Sequence, residues 1–175
     1  MSKKVINVAL LGLGTVGTGV YKVLKMQQED MEDKIGAKVE IKKILVRNLK
    51  KAAAKIEEPE LLTNNWKEIL EDESIEIVIE VMGGIEPAKT YMLEALKSGK
   101  HVVTANKDLV ASHGQEVLDC AAKNGRDFLF EAAVAGGIPI IRPLKQCLAG
   151  NHLSEVVGIV NGTTNFILTK MTQEG

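Results

Sequence analysis

The run Val5-Ile6-Asn7-Val8-Ala9-Leu10-Leu11, followed at once by Gly12-Leu13-Gly14-Thr15-Val16-Gly17, constrains this chain more than any other feature. An almost unbroken apolar run of this length is the pattern of a strand covered on both faces in a parallel sheet. Beyond the glycines, Val16, Val20, Val23 and Leu24 recur at helical spacing, so the order is strand, glycine turn, helix. In that setting each glycine has a physical task. Gly12 permits the tight turn, Gly14 lets the backbone approach a pyrophosphate, and Gly17 allows the helix to pack closely on the strand. The amides of Leu13 to Val16 then face the phosphates with the helix dipole behind them.

The same alternation continues along the chain. The first helix is expected to run into the polar stretch from Gln27 to Lys34 and to be stopped by Gly36. Val39 to Val46 reads as the second strand, and a short helix follows through Ala52-Ala53-Ala54. Leu61-Leu62-Thr63 reads as a minor edge strand, and Asn64 or Asn65 as the cap of a short helix through Trp66 and Leu70. Ile75 to Val81 is a further strand, ending at Met82-Gly83-Gly84. Pro87 starts a helix that stops at Gly99. His101 to Thr104 is the next strand, Leu109 to Asn124 a helix closed by Gly125, and Phe128 to Glu131 a strand. The order implies parallel strands joined by right-handed crossovers, an α/β doubly wound sheet of the Rossmann, nucleotide-binding type. After Glu131 the rhythm changes. A small-residue turn leads to a helix from Pro143 to Leu148, a strand from Glu155 to Val160 and a last helical start through Phe166 and Leu168. Residues 1–150 are expected to be the nucleotide-binding domain, and residues 151–175 the beginning of a second, truncated one.

Composition excludes several classes. With 22 basic and 23 acidic side chains among 175 residues the net charge is −1, which gives no footprint for nucleic acid or an anionic membrane. The scattered aromatic residues, 3% of the chain, form no stacking platform for single strands. The apolar run at the N-terminus is too short for a secretory core or a bilayer span. Cys120 and Cys147 lack metal-ligand or disulfide spacing and read as small buried hydrophobes in a reducing cytoplasm. His101, His113 and His152 have no ligand spacing and read as structural or exposed.

An NAD site normally presents an acidic side chain at the end of the second strand, where it binds the ribose 2′-hydroxyl. Here Arg47-Asn48 stands there. A planar, permanently charged guanidinium suits the 2′-phosphate of NADP, so NADP is favoured over NAD; the alternative is a solvated arginine at a strand end. Gly83 and Gly84 lie at the carboxyl end of their strand, where they either let the ribose or nicotinamide pass close to backbone or simply turn the chain into a helix. Lys107 follows the strand His101 to Thr104 on the same rim. Desolvated, it is a base; charged, it orients a substrate oxygen and steadies developing negative charge.

Taken together, Gly12 to Gly17, Val46-Arg47-Asn48, Val81 to Gly84, Thr104-Ala105-Asn106-Lys107, the stretch Glu131 to Pro139 and Asn161-Gly162-Thr163-Thr164-Asn165 resemble the homoserine dehydrogenases over essentially the whole chain. The resemblance implies an NADP- or NAD-dependent oxidoreductase interconverting L-homoserine and L-aspartate 4-semialdehyde, on the route to threonine, methionine and isoleucine. It implies that Gly12, Leu13, Gly14, Thr15, Val16, Gly17, Arg47, Gly83, Gly84 and Lys107 hold the cofactor, with Lys107 also near the reacting centre. Glu131, Val134, Gly136 and Ile138 match a turn whose main-chain carbonyls hold a monovalent cation, usually sodium, and hard oxygen donors suit such an ion. Gly162 and Thr163 match the substrate pocket. The family's acidic substrate ligands and a second catalytic lysine lie beyond Gly175, as does the region through which members commonly dimerise. The fragment is therefore expected to bind nucleotide, to turn over little homoserine alone and to be monomeric.

Three other readings compete. Acylating semialdehyde dehydrogenases carry a nucleophilic cysteine in an Asn-Cys-Thr-Thr turn, where this chain has Gly162. Sugar and imine oxidoreductases with a Glu-Lys-Pro motif are closer, but Ala105-Asn106-Lys107-Asp108 has neither the glutamate nor the proline. A nucleotide-binding sensor without chemistry would use the same glycine cradle, yet would have no need of Lys107 and the threonine segment.

Overall fold

The computed structural model describes residues 4–159 and 161–174. By its contacts the chain divides into two units, Met1–Val134 and Ala135–Gly175.

In the first unit six strands form one sheet: β1 (Lys4–Leu11), β2 (Ala37–Leu45), β3 (Leu62–Thr63), β4 (Ile75–Glu80), β5 (His101–Thr104) and β6 (Phe128–Leu129). The spatial order is β3-β2-β1-β4-β5-β6 and every pairing is parallel. This is the doubly wound α/β arrangement of the Rossmann type, with the order reversing at β1. The apolar run of β1 follows from burial on both faces: Ala9 and Leu11 enter one core cluster, while Leu10 enters the other. In β2, Ile44 and Leu45 divide between the clusters in the same way.

The helices flank the sheet: α1 (Thr15–Met26), α2 (Gln28–Ile35), α3 (Leu49–Ala53), α4 (Lys67–Leu70), α5 (Ala88–Lys97) and α6 (Lys107–Lys123). Met92, Ala95 and Leu96 of α5 and Leu109, Val117 and Ala121 of α6 pack into the larger cluster. Trp66 stacks on Tyr91 at 4.6 Å and donates its indole N–H to Glu94 at 2.6 Å, tying α4 to α5. Two expected boundaries differ. The first helix breaks at Gln27, and the acidic stretch begins a separate helix that Gly36 ends in the left-handed region. The helix expected from Leu109 starts two residues earlier, because the Asn106 side chain accepts the Leu109 N–H at 3.2 Å and caps it.

β6 stops at Leu129, and Glu131–Ala133 turn as a 3₁₀ helix instead of continuing the strand. In the second unit the helix expected from Pro143 is a π turn over Pro143–Cys147, closed by Leu148 N–H on the Pro143 carbonyl at 3.0 Å. Glu155 to Ile159 form no strand, since they find no neighbour to pair with among the described residues; Val160 lies outside those residues. The last helix, α7 (Gly162–Glu174), begins inside the threonine segment, with Asn161 Oδ1 accepting the Thr164 N–H at 2.7 Å. Cys120 is half-buried, and Cys147 is exposed rather than buried.

Candidate functional site

The strand order reverses between β1 and β4, and the candidate site lies at their carboxyl ends, where ligands of such sheets bind. Main-chain bonds stitch this rim together: Gly12 N–H donates to the Leu45 carbonyl at 2.9 Å, and Val81 N–H donates to the Leu11 carbonyl at 3.0 Å. The turn after β1 thus touches the ends of both neighbouring strands.

The three glycines have three different surroundings. Gly12 has φ +100°, and a Cβ there would lie 3.1 Å from the Met82 Cα and the Val81 carbonyl. A Cβ at Gly17 would lie 2.1 Å from the Gly12 carbonyl oxygen, so the first turn of α1 rests directly on the loop. Around Gly14 a Cβ would meet nothing within 4 Å. Two glycines are therefore dictated by the protein's own packing, and the third leaves a path open to a ligand.

No side chain caps α1, and its first helical bond is Thr18 N–H to the Gly14 carbonyl at 2.9 Å. Thr15, Val16 and Gly17 amides thus lack an intrahelical acceptor and present an anion-binding helix N-terminus. Leu13, by contrast, is buried. The Lys55 ammonium donates to its carbonyl at 2.7 Å and holds the turn from below. Nothing in the sequence pattern marked Lys55, because 42 residues separate the two partners.

Arg47 is exposed, one residue before Asn48, whose side chain accepts the Lys51 N–H at 2.9 Å and caps α3. Gly83 and Gly84 are exposed, with φ +76° and +75°, in the left-handed region that glycine enters freely. After them the Glu86-Pro87 bond is cis and α5 begins. Lys107 is exposed and is the first residue of α6, not a loop residue after β5. The structure therefore brings the glycine turn, Arg47, Gly83, Gly84 and Lys107 to the carboxyl rim of one sheet.

Beneath that rim lies a polar chain that sequence reasoning did not assign. Glu80 is 0% exposed at the end of β4 and accepts the Met82 N–H at 2.8 Å and the Thr104 hydroxyl at 2.6 Å. Asn106 N–H donates to Thr104 Oγ1 at 3.0 Å, and the Asn106 amide donates to the Gly84 carbonyl at 2.6 Å.

The remaining expected residues lie after β6 in the chain. Glu131 opens the 3₁₀ turn and its carbonyl accepts the Val134 N–H at 3.1 Å, both within the first unit. Gly136, at φ +61°, and Ile138, whose N–H bonds the Ala135 carbonyl at 3.1 Å, belong to the second unit, as do Gly162 and Thr163 in the first turn of α7. Among the described residues no three His, Cys, Asp or Glu side chains cluster as metal ligands. No helix there is long and apolar enough to cross a membrane.

Groups with displaced ionisation lie away from the rim. The Lys25 ammonium and then the Tyr21 hydroxyl hold the Glu58 carboxyl below its usual range. Burial, then the Glu58 carboxylate, pushes the Tyr21 phenol up. At the amino edge of the sheet, hydrogen bonds from Lys42 and then Ser74 hold Asp72 down at about 2. Burial lowers Lys100, whose ammonium donates to the Asp72 and Ile75 carbonyls.

Comparisons with known proteins agree with this architecture. The family model described as the NAD binding domain of homoserine dehydrogenase matches residues 12–131, and the one described as homoserine dehydrogenase matches residues 139–175. The homoserine dehydrogenase of Bacillus subtilis (strain 168) is 50% identical over 171 residues, covering 98% of this chain and 40% of that protein. That of Corynebacterium glutamicum is 46% identical over 97% of this chain and 38% of its own length. A crystal structure of a homoserine dehydrogenase from Thiobacillus denitrificans superposes with a TM-score of 0.86 at 47% identity, covering 96% of this chain and 39% of that one. A hyperthermophilic archaeal homoserine dehydrogenase in complex with NADPH gives 0.80 at 26% identity, covering 98% and 57%. The chain thus spans about 40% of the length of the curated relatives it matches.

Proposed function

The chain belongs to the homoserine dehydrogenase family, and from that premise we propose that it holds the nicotinamide cofactor of an oxidoreductase interconverting L-homoserine and L-aspartate 4-semialdehyde, on the route to threonine, methionine and isoleucine. The observation that carries this reading is the glycine turn: closed by packing at Gly12 and Gly17, open at Gly14, and backed by unpaired helix amides. A pyrophosphate fits that donor set. Leu13, Gly14, Thr15 and Val16 would line it, and Gly83 and Gly84 would let the nicotinamide side pass against backbone. The cofactor, when bound, supplies or receives the hydride.

NADP is the preferred form, because an exposed arginine rather than a carboxylate follows β2. The archaeal relative solved with NADPH supports a phosphorylated cofactor. Lys107 orients the substrate oxygen and steadies charge developing on it. Gly162 and Thr163 line the substrate pocket. Main-chain carbonyls at Glu131, Val134, Gly136 and Ile138 would hold a monovalent cation, sodium by donor type; a melting temperature of the 175 residues indifferent to exchanging sodium for choline would refute that assignment.

Residues 1–150 form the nucleotide-binding domain in this reading, and residues 151–175 open the domain that completes the substrate site and the homodimer. Spanning about 40% of the length of its relatives, the chain binds nucleotide in the cytoplasm and turns over little or no homoserine. Robust homoserine-dependent reduction of NADP by this chain would contradict that. Calorimetric titration tests the cofactor claim directly: NADPH binds more tightly than NADH, and Arg47→Asp weakens NADPH about tenfold or more while sparing NADH. Equal losses for both would refute the 2′-phosphate assignment.

A further inference from the structure

We infer that Glu80 is a positioning residue for the nicotinamide half of the cofactor site, acting through Thr104 and Asn106 on the two segments that border it. This rests on the reading of the rim given under Proposed function, which assigns no role to any of the three.

The argument begins with burial. Glu80, Thr104 and Asn106 are 0%, 1% and 5% exposed. A carboxylate and two polar side chains so enclosed are costly unless their buried oxygens and nitrogens find partners. Here each such atom has one, and the partners are specific. Glu80 Oε1 takes the Met82 N–H and fixes the residue before Gly83. Oε2 takes the Thr104 hydroxyl, crossing from β4 to β5. The same Thr104 oxygen receives the Asn106 N–H, and the Asn106 amide returns to the Gly84 carbonyl. Asn106 Oδ1 caps α6, whose first residue is Lys107. The circuit therefore closes on itself: one carboxylate sets the Met82–Gly84 turn, and one amide joins that turn to the start of the helix bearing Lys107.

Nothing about the sheet alone requires such a circuit, since β4 and β5 already pair from Ile77 to Glu80. What the circuit adds is fixed spacing between a turn with two left-handed glycines and the Lys107 position. Unanchored, glycines of this kind sample many conformations. The adenylate half of the cofactor has its own cradle at Gly12 to Gly17, so the circuit should leave that half untouched.

The test compares two ligands on three variants of the 175-residue chain. Dissociation constants are measured for the preferred reduced dinucleotide and for its adenylate half, 2′,5′-ADP for NADPH or ADP for NADH. In Thr104→Val, which removes the shared hydroxyl, the dinucleotide should weaken about tenfold and the adenylate half less than about twofold. Glu80→Gln, which deprives the threonine hydroxyl of its acceptor, should behave likewise. Thr104→Ser keeps the hydroxyl and should restore dinucleotide affinity. Equal weakening of both ligands, no weakening of either, or failure of serine to restore affinity would each overturn the inference. If Thr104→Val does not fold, Glu80→Gln carries the same comparison. A wild-type chain that binds neither ligand refutes the reading of the whole rim, which separates that failure from failure of the circuit.

Discussion

At the scale of the residue, the glycine turn makes opposite demands at positions three apart. Gly17 has no room for a methyl group, because its Cβ would sit 2.1 Å from the Gly12 carbonyl oxygen. Gly14 has φ −77°, which any residue adopts, and open space where a Cβ would go. Gly17→Ala should therefore destabilise the fold by about 2 kcal/mol or more through overpacking, read by chemical denaturation. Gly14→Ala should leave the denaturation midpoint nearly unchanged while weakening nucleotide binding, because its methyl group projects into the ligand's path. A binding constant unaffected by Gly14→Ala would show that the pyrophosphate does not pass there. The glycines were legible in the sequence because their roles are local, fixed by a turn between a strand and a helix. Glu80 was not. In Ile75-Glu76-Ile77-Val78-Ile79-Glu80 the acidic positions share a parity that reads as the wet face of a half-exposed strand, yet Val78 and Glu80 on that face are fully buried. What permits this is Thr104, 24 residues away, and no window along the chain displays that pairing.

At the scale of the element, the amino edge of the sheet is held by charge. Asp72 pairs with Lys42 of β2 at 2.8 Å and accepts the Ser74 N–H at 3.0 Å, while the Ser74 carbonyl accepts from Asn7 of β1 at 3.1 Å. The turn before β4 is thereby fastened to two strands. Because folding lowers the Asp72 ionisation from 3.8 to about 2, the unfolded chain binds its proton more readily. The stabilisation is fully present above the unfolded value and is lost as pH falls through it toward about 2. Denaturation midpoints measured from pH 5 downward should show this loss, and Asp72→Asn should flatten that part of the profile. An unchanged acid limb in the variant would refute the assignment. Helix boundaries show the limit of reading elements locally. Periodicity placed the start of α6 at the first apolar residue, Leu109, but Asn106 caps the helix and draws Lys107 into its first turn. That moves a candidate site residue from loop to helix.

At the scale of the molecule, all the pairings of the sheet are parallel, and this sends every strand-to-helix turn of the first unit to one rim. That much was readable from the alternation of apolar runs and helical spacing, since both faces of a parallel sheet must be covered. The second unit was less readable. Val156, Val157 and Ile159 form an apolar run like those of β1 and β4, yet they are exposed and pair with no strand among the described residues. A strand exists only with a neighbour, which a run of residues cannot specify alone. Since the glycine turn, Arg47 and the Glu80 circuit all lie within Met1–Val134, a chain ending at Val134 should bind the cofactor within about threefold of the affinity of the 175 residues. Calorimetry of the shortened chain checks this, and a much larger loss would show that the second unit contributes directly to the nucleotide site.

The charged fastening around Asp72 and Lys100 sits at the edge opposite the cofactor rim, with the length of the strands between them. Inherited changes that adapt such a protein to hotter, colder or more acidic surroundings can accumulate along that edge while leaving the chemistry as it was. Durability and reactivity are thereby open to selection as nearly independent traits.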